Sequence, residues 1–136
     1  MKDVVVVDAV RTATGRFGGC FKSRSAVDLG ALLIEQCLVR SGLKGEDIDE
    51  VIMGMVYQGG ARANPARQAA LAARLPHEVP AMTINKLCGS GLKSVGLAWH
   101  ESLLRKDFTP LVNSGMKHCD ETKRVATDDT CIGLWS

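Results

Sequence analysis

The stretch from Ala81 to Ala98 constrains the fold of this chain more than any other. It begins with a short β-prone run, Met82-Thr83-Ile84, and it ends in the apolar spacing of a helix. The residues between them, Asn85–Gly91, contain two glycines that permit tight backbone geometry. The pattern therefore predicts a strand that turns sharply into a helix, a unit that is typical of α/β proteins.

Cys88 stands in this predicted turn, immediately before the helix. A cysteine at a helix N-terminus faces unpaired N–H groups and the positive end of the helix dipole, and both favour the thiolate. The same N–H groups could also hold a developing oxyanion. The residue types thus indicate a nucleophile that attacks carbonyl carbon, and the alternative is a buried free cysteine without chemistry.

The remaining elements are predicted from apolar spacing and from cap residues. A strand followed by a helix and a second strand predicts a right-handed crossover between two parallel neighbours. The glycines of the last helix indicate close backbone packing, so we expect that helix to be buried. The predicted elements, in chain order, are a strand at Val4–Val7 buried on both faces, a helix from a Ser25 cap to Gly42 with Leu29, Leu32, Leu33 and Cys37 on its apolar stripe, a strand at Val51–Met53, a helix from an Asn64 cap to Leu75, a strand at Met82–Ile84 and a helix at Gly91–Leu104.

Four segments of the chain resemble signatures of the thiolases, the family of acetyl-CoA acetyltransferases and 3-ketoacyl-CoA thiolases, and they stand in the order of that family. These segments are Val10-Arg11-Thr12, Gly15–Gly19, Asn64–Ala70 and Asn85–Lys93. The resemblance covers about Lys2 to Gly115. It implies that Cys88 is the nucleophile that takes up the acyl group, and that coenzyme A thioesters are substrates rather than permanently bound cofactors. It points to no residues for binding coenzyme A.

The resemblance also implies the fold class, which is α/β: a thiolase-like N-terminal half, with a mainly parallel sheet that carries helices on its faces. The family folds as a five-layered double domain, so this half is expected to be incomplete by comparison. We assign residues 1–116 to part of the thiolase N-terminal domain. Residues 117–136 diverge from the family and are expected to be a poorly ordered tail, because Lys117–Thr130 is polar and aperiodic. Leu111–Met116 is similar to the next family strand, but Pro110 argues against a regular ladder there.

The sequence lacks two parts of the thiolase machinery. The family activates its nucleophile with a histidine in a Gly-His-Pro motif, and this sequence contains no such motif. The family's second cysteine lies in a Cys-x-Gly motif, which Cys131-Ile132-Gly133 resembles over too few residues to be specific. The histidines that could substitute are His77, His100 and His118.

Three hypotheses for the function follow. The chain is an acyltransferase unit, a non-catalytic fragment that at most contacts a copy through the Met82–Ile84 edge, or a ketosynthase-like relative. The thiolase signatures before Cys88 argue against the third.

Composition narrows the remaining classes of function. A net charge of +2 over 136 residues, with no long basic run, gives no reason to expect binding to nucleic acid or to a membrane surface. Five cysteines at irregular spacings, including the ligand-like His118-Cys119-Asp120, predict neither a disulfide framework nor a metal site.

With no leader pattern visible, we expect a cytoplasmic protein, with mitochondria or peroxisomes as alternatives. Apolar faces left uncovered on Val4–Val7 and Val51–Met53 would make the folded chain a homo-oligomer or poorly soluble.

Overall fold

β-branched runs alternate with capped helices along the chain, and the computed structural model, which describes residues 3–116 and 130–135, places both kinds of element in one sheet structure. A 3-10 helix at Gly45–Asp47 precedes the second strand. The described strands are β1 Val5–Arg11, β2 Glu50–Met55, β3 Ala81–Ile84, β4 Pro110–Met116 and β5 Thr130–Trp135, and the α-helices are α1 Ala26–Ser41, α2 Pro65–Ala72 and α3 Ser90–Leu104.

The strands lie in the order β1-β5-β4-β2-β3. β2 pairs in parallel with β3 and with β4, whereas β5 pairs antiparallel with β1 and with β4. Four of the five strands therefore run in one direction, which confirms the α/β class and the mainly parallel sheet. The predicted pairing of the first two strands is wrong, because β4 and β5 lie between β1 and β2.

β4 is a strand despite its proline, with a register shift in its pairing to β2 between Met53 and Met55. Pro110 is the first residue of β4 and lies opposite Glu50, the first residue of β2. A proline is tolerated at the first position of a strand, where the missing N–H interrupts no established ladder. Pro110 therefore does not prevent a strand at this point.

The expectation of a poorly ordered tail over residues 117–136 is wrong for residues 130–135. These residues form β5, whose backbone pairs with β1 on one side and with β4 on the other. Two flanking strands satisfy the main-chain groups of β5 and give it a central place in the sheet. Residues 117–129, which include His118-Cys119-Asp120, lie outside the described residues.

Helices cover both faces of the sheet. Val51, Met53 and Met55 of β2 belong to a core that also contains buried residues of α1 and α2. Ile52, which points to the opposite face, packs with Ala98 of α3 and with Val112 of β4. β2 is thus covered on both sides, as expected for a parallel strand between two helix layers, and the expectation that one face of Val51–Met53 stays uncovered was wrong.

β1 differs from β2 because it lies at an edge of the sheet. Val5, Val6 and Val7 are 50%, 58% and 41% exposed, so the prediction of a strand buried on both faces was wrong. The run of β-branched residues specified a strand, but burial depends on which elements cover it. Within the described residues, helix α1 is the only α-helix with several contacts to β1.

α1 begins and ends as its sequence predicts. The Ser25 hydroxyl accepts a hydrogen bond from the Asp28 N–H at 3.1 Å, and the Asp28 carboxylate accepts one from the Ser25 N–H at 2.9 Å. These bonds from Ser25 hold the pKa of Asp28 below its usual value. Gly42 ends the helix in the left-handed conformation with φ 73°. Of the predicted apolar stripe, Leu29, Leu33 and Cys37 are buried, whereas Leu32 is exposed.

Candidate active site

Cys88 lies in the turn that joins β3 to α3, as the sequence predicts. β3 ends at Ile84 and α3 begins at Ser90, with Gly89 as its N-cap residue. Cys88 is a free cysteine with an exposed side chain. The alternative of a buried cysteine is thereby excluded, and the sulfur is open to a reactant from solution.

The residue before Cys88 has an unusual backbone conformation. Leu87 has φ 48°, in the left-handed region that residues with a Cβ rarely adopt. Such a conformation persists when surrounding bonds hold it, and it is common at functional turns. The Leu87 N–H donates to the Asn85 side-chain oxygen at 2.9 Å, and the Leu87 carbonyl accepts from the Ser90 hydroxyl at 2.6 Å.

The turn is also attached to the sheet beneath it. The Asn85 side-chain amide donates to the Val56 carbonyl, just after β2, at 2.8 Å. At Gly54, near the end of β2, a Cβ would lie 2.5 Å from the Ser90 carbonyl carbon and 2.6 Å from the Gly91 nitrogen. Glycine at this position therefore allows the start of α3 to rest directly on β2.

A second layer of polar contacts fixes β3. Asn64, the N-cap residue of α2, donates from its side chain to the Ala81 carbonyl at 2.8 Å and accepts from the Thr83 hydroxyl at 2.8 Å. Arg67 donates to the carbonyls of His77 and Val79, at 2.8 and 2.7 Å, in the loop that leads into β3. Asn64 and Arg67 of the Asn64–Ala70 segment thus serve to place the strand that precedes Cys88.

The helix start offers fewer open donors than the sequence suggests. The Gly89 N–H donates to the Lys86 carbonyl at 3.0 Å, and the Ser90 N–H donates to the Leu87 carbonyl at 3.0 Å. These two groups are occupied and cannot also receive an oxyanion without breaking the turn. The expectation that the first N–H groups of the helix stabilise an oxyanion is therefore wrong for these two.

The predicted family segments lie toward the same end of the sheet. Val10 and Arg11 are the last residues of β1 and Gly15–Gly19 follows it, Asn64–Ala70 follows β2, and Cys88 follows β3. Because these strands run in the same direction, their carboxyl ends lie at the same edge, where α/β proteins bind ligands. A cavity of about 160 Å³ also opens near this edge, although Cys88 is not among its lining residues. Those residues are Ser25, Ala26, Val27, Gly60, Ala61, Arg62 and Gln68.

The described histidines are not part of the Cys88 turn. His77 is exposed and lies 3.2 Å from the equally exposed Glu78 carboxylate. His100 contacts Trp99 on α3, about 15 Å along the helix axis from its first residue at 1.5 Å per residue. His118 lies outside the described residues. Among residues 3–116 and 130–135, no group of three or more His, Cys, Asp or Glu side chains is placed to hold a metal ion.

Sequence reasoning gave no role to the two side chains that hold the turn. Asn85 and Ser90 were recognised within the motif around Cys88, but their bonds to Leu87 and Lys86 depend on a left-handed residue that the sequence does not reveal. Gly54 was likewise passed over as part of a strand. A glycine near the end of an otherwise bulky buried run, Val51-Ile52-Met53, was the available signal for close backbone approach.

Residues 4–130 match the family model described as "Thiolase, N-terminal domain". An acetyl-CoA acetyltransferase of Cupriavidus necator is 58% identical over 125 residues, which are 92% of this chain and 32% of that protein. An acetyl-CoA acetyltransferase of Allochromatium vinosum is 44% identical over 138 residues, which are 99% of this chain and 35% of that protein. This chain therefore spans about a third of the length of these relatives.

A solved structure agrees with these matches. The crystal structure of Acat5 thiolase from Ascaris suum in complex with coenzyme A is similar with a TM-score of 0.76 and 34% sequence identity. The similarity covers 82% of this chain and 30% of that one. None of the described helices has the length and apolar composition needed to cross a bilayer.

Proposed function

The chain belongs to the thiolase family, within its N-terminal domain, and from this premise we propose that it is the acyl-accepting part of a thiolase-type acyltransferase. Cys88 is the proposed nucleophile. The observation that carries the proposal is the position of Cys88. Its exposed thiol follows a left-handed residue, Leu87, in a hydrogen-bonded turn at the carboxyl end of a parallel strand.

The proposed reaction is transfer of an acyl group from a coenzyme A thioester to Cys88. Cys88 loses its proton to solvent and attacks as the thiolate, its sulfur bonds to the acyl carbon, the bond from that carbon to the coenzyme A sulfur breaks, and coenzyme A leaves as a thiolate that takes up a proton from solvent. Coenzyme A is thus a substrate component rather than a resident cofactor. The relatives named acetyl-CoA acetyltransferase and the coenzyme A complex of the Ascaris thiolase support acetyl-CoA as the acyl donor.

In the whole protein the acyl group would pass to the carbanion of a second acetyl-CoA, or the reverse thiolysis would run. That step needs a placed base for the proton on the α-carbon, which contributes on the order of 10²–10⁴-fold. The family's second cysteine, in its Cys-x-Gly motif, handles that proton, and Cys131-Ile132-Gly133 resembles this motif over too few residues to supply the base; the sequence also holds no Gly-His-Pro motif. We therefore expect the chain by itself to perform the first half-reaction, slowly and stoichiometrically, without forming or cleaving acetoacetyl-CoA.

The test combines mass spectrometry with two cysteine variants. Acetyl-CoA is expected to add a single acetyl group to the wild-type chain and to release one equivalent of free coenzyme A. Cys88→Ser is expected to abolish the adduct, whereas Cys20→Ser, which changes another exposed free cysteine, is expected to retain it. An adduct that persists in Cys88→Ser would overturn the assignment, and sustained acetoacetyl-CoA thiolysis would show that the missing histidine has a substitute.

A second candidate function is a structural module that contacts a copy of itself through β3. The observation that favours it is the position of β3 at an edge of the sheet, with β2 as its one neighbouring strand among the described residues. Release of free coenzyme A from acetyl-CoA distinguishes the candidates, because a structural module releases none.

The proposed chemistry also bears on location and metabolism. A nucleophilic thiol must stay reduced, which is the ordinary state of cysteines in the cytoplasm. We extend the proposal to a cytoplasmic protein of lipid or fatty-acid metabolism, and fractionation of the source cells with an antibody to this chain tests the location.

A further inference from the structure

Ser90 is a buried polar residue in direct contact with the turn that carries Cys88. Its side chain belongs to a residue that is 2% exposed, at the first position of α3. The hydroxyl donates to the Leu87 carbonyl at 2.6 Å and accepts from the Lys86 N–H at 2.8 Å. One hydroxyl thus bonds to the N–H at the start and to the carbonyl at the end of the Lys86-Leu87 pair.

These two bonds act on the strained residue of the turn. A left-handed conformation is unfavourable for a residue with a Cβ, so Leu87 would relax if nothing held it. Leu87 itself is 68% exposed, and packing of its side chain therefore cannot supply the restraint. The restraint comes from Ser90 on one side and from the Asn85 oxygen on the other.

We infer that Ser90 is a positioning residue for Cys88: its hydroxyl keeps Leu87 left-handed, and this conformation aims the Cys88 sulfur at an incoming thioester. The inference rests on the proposed role of Cys88 as acyl acceptor. The start of α3 lies directly against β2 at Gly54. The Ser90 hydroxyl therefore bonds the turn to a part of the helix whose position is fixed by the sheet.

The chemistry of the site requires a hydroxyl. Alanine would remove the partner of the Lys86 N–H and one of the two donors to the Leu87 carbonyl, which also accepts from the Ser90 N–H, whereas threonine offers the same hydroxyl donor and acceptor with one added methyl group. Misplacing a reacting group by about 1 Å can cost on the order of 10²-fold in rate. A change that frees the turn should therefore slow acyl transfer far more than it slows a reaction that needs only access to sulfur.

The experiment measures two rates for Cys88 in each variant by mass spectrometry: acetylation by acetyl-CoA and alkylation by iodoacetamide. We expect Ser90→Ala to lower the acetylation rate by at least about tenfold and to change the alkylation rate by less than about threefold. Ser90→Thr should recover most of the acetylation rate. The matched control is Ser102→Ala, which removes another fully buried serine hydroxyl from the same helix, bonded to the Ala98 carbonyl at 2.8 Å, and it should leave both rates unchanged.

Each outcome decides one point. If the wild-type chain is acetylated and Ser90→Ala is acetylated equally fast, the inference is overturned and the proposed function stands. If both rates fall together in Ser90→Ala, the hydroxyl only maintains the fold, which also overturns the inference. If the wild-type chain is not acetylated, the proposed function fails and this inference fails with it.

Asn85→Ala keeps the test decisive if Ser90→Ala does not fold. Asn85 is exposed, so its replacement removes the second restraint on Leu87 with less loss of burial. The same selective loss of acetylation is expected. A wild-type acetylation rate in a folded Asn85→Ala variant would contradict the idea that restraint of Leu87 matters.

Discussion

Two serines at helix starts show what can be predicted at the scale of single residues. Ser25 was predicted from sequence, because a serine followed three residues later by an acidic residue forms a capping box through local bonds alone. Ser90 was not, because its hydroxyl bonds backward to Lys86 and Leu87, and that geometry exists only after Leu87 becomes left-handed. The position of Cys88 before a helix could be predicted from the glycine and helix patterns. The side chains that hold its turn, Asn85 and Ser90, could not be predicted in that role.

We expect Cys88 to be the most reactive thiol of the chain. It is exposed in a hydrogen-bonded turn, Cys20 is exposed in a loop, and Cys37, a residue of α1, is 2% exposed. Limiting iodoacetamide followed by peptide mapping should label Cys88 first and Cys37 last. Preferential labelling of Cys20 or Cys37 would contradict the prediction.

Glu50 gives a prediction about pH. Burial raises the pKa of its carboxyl above the ordinary value of 4.5, the nearby Glu101 raises it further, and Arg105 opposes both. A raised pKa in the folded state means that the folded chain holds this proton more tightly, so stability falls as pH rises from about 4.5 through the folded pKa. Glu50→Gln should therefore increase the free energy of unfolding at neutral pH.

The gain is expected to be a fraction of about 1 kcal/mol, because solvent screens a carboxyl that is only half-buried. It should disappear below the ordinary pKa, where the wild-type carboxyl is protonated in both states. Urea unfolding at pH values from below the ordinary pKa to neutral measures both the gain in the free energy of unfolding and its disappearance at low pH. Glu35→Gln, on the exposed side of α1, is the control, and an equal gain at low and neutral pH would refute the electrostatic origin.

At the scale of elements, the helices were predictable and the pairing of strands was less so. Helices α1 and α3 follow from caps and apolar spacing within a few residues of their observed ends. β5 was missed because its partners, β1 and β4, are separated from it in sequence, by more than a hundred residues in the case of β1. A polar stretch before a short apolar run gives no local signal for a central strand.

Helix α3 was expected to be buried, and it is buried on one side. Its buried residues are small, namely Ser90, Gly91, Ser94, Ala98 and Ser102, and they let the helix lie close to β2 and β4. Leu92 and Leu104 are 80% and 81% exposed on the other side. Gly91 takes part in the close approach to Gly54, whereas a Cβ on Gly96 would meet no described atom within 4 Å.

The two glycines Gly54 and Gly96 should therefore respond to alanine with opposite signs. Gly54→Ala drives a methyl group into the main chain of Ser90 and Gly91 and should lower the free energy of unfolding by about 1–3 kcal/mol. Gly96→Ala adds helix propensity in open space and should raise it by about 0.5–1 kcal/mol. Chemical denaturation measures both, with Gly59→Ala, which also meets no described atom, as control. A neutral Gly54→Ala would show that α3 does not rest on β2.

At the scale of the whole molecule, the sequence predicted the class of fold but not which surfaces stay uncovered. Val51–Met53 was expected to have an uncovered face and is fully buried, because α3 covers the face that Ile52 occupies. Two expectations for β1 followed from the sequence: burial on both faces, as in a parallel sheet, and one poorly covered face if the second half of the family fold is absent. The exposure of Val5–Val7 agrees with the second expectation. The exposed apolar surface of the described residues therefore includes Val5–Val7 on β1 and Leu92, Trp99 and Leu104 on α3.

That surface predicts the behaviour of the isolated chain in solution. Leu92 and Trp99 are 80% and 48% exposed on one helix, and apolar surface of this kind drives association. We expect the purified chain to associate in sedimentation velocity experiments. The double variant Leu92→Lys and Trp99→Lys should shift the distribution toward monomer. It should not lower the melting temperature by more than a few degrees. Val39→Lys, at a 75% exposed position on α1, adds charge away from this surface and should change association little. A wild-type chain that sediments as a monodisperse monomer and melts cooperatively would show that its apolar residues do not meet across copies.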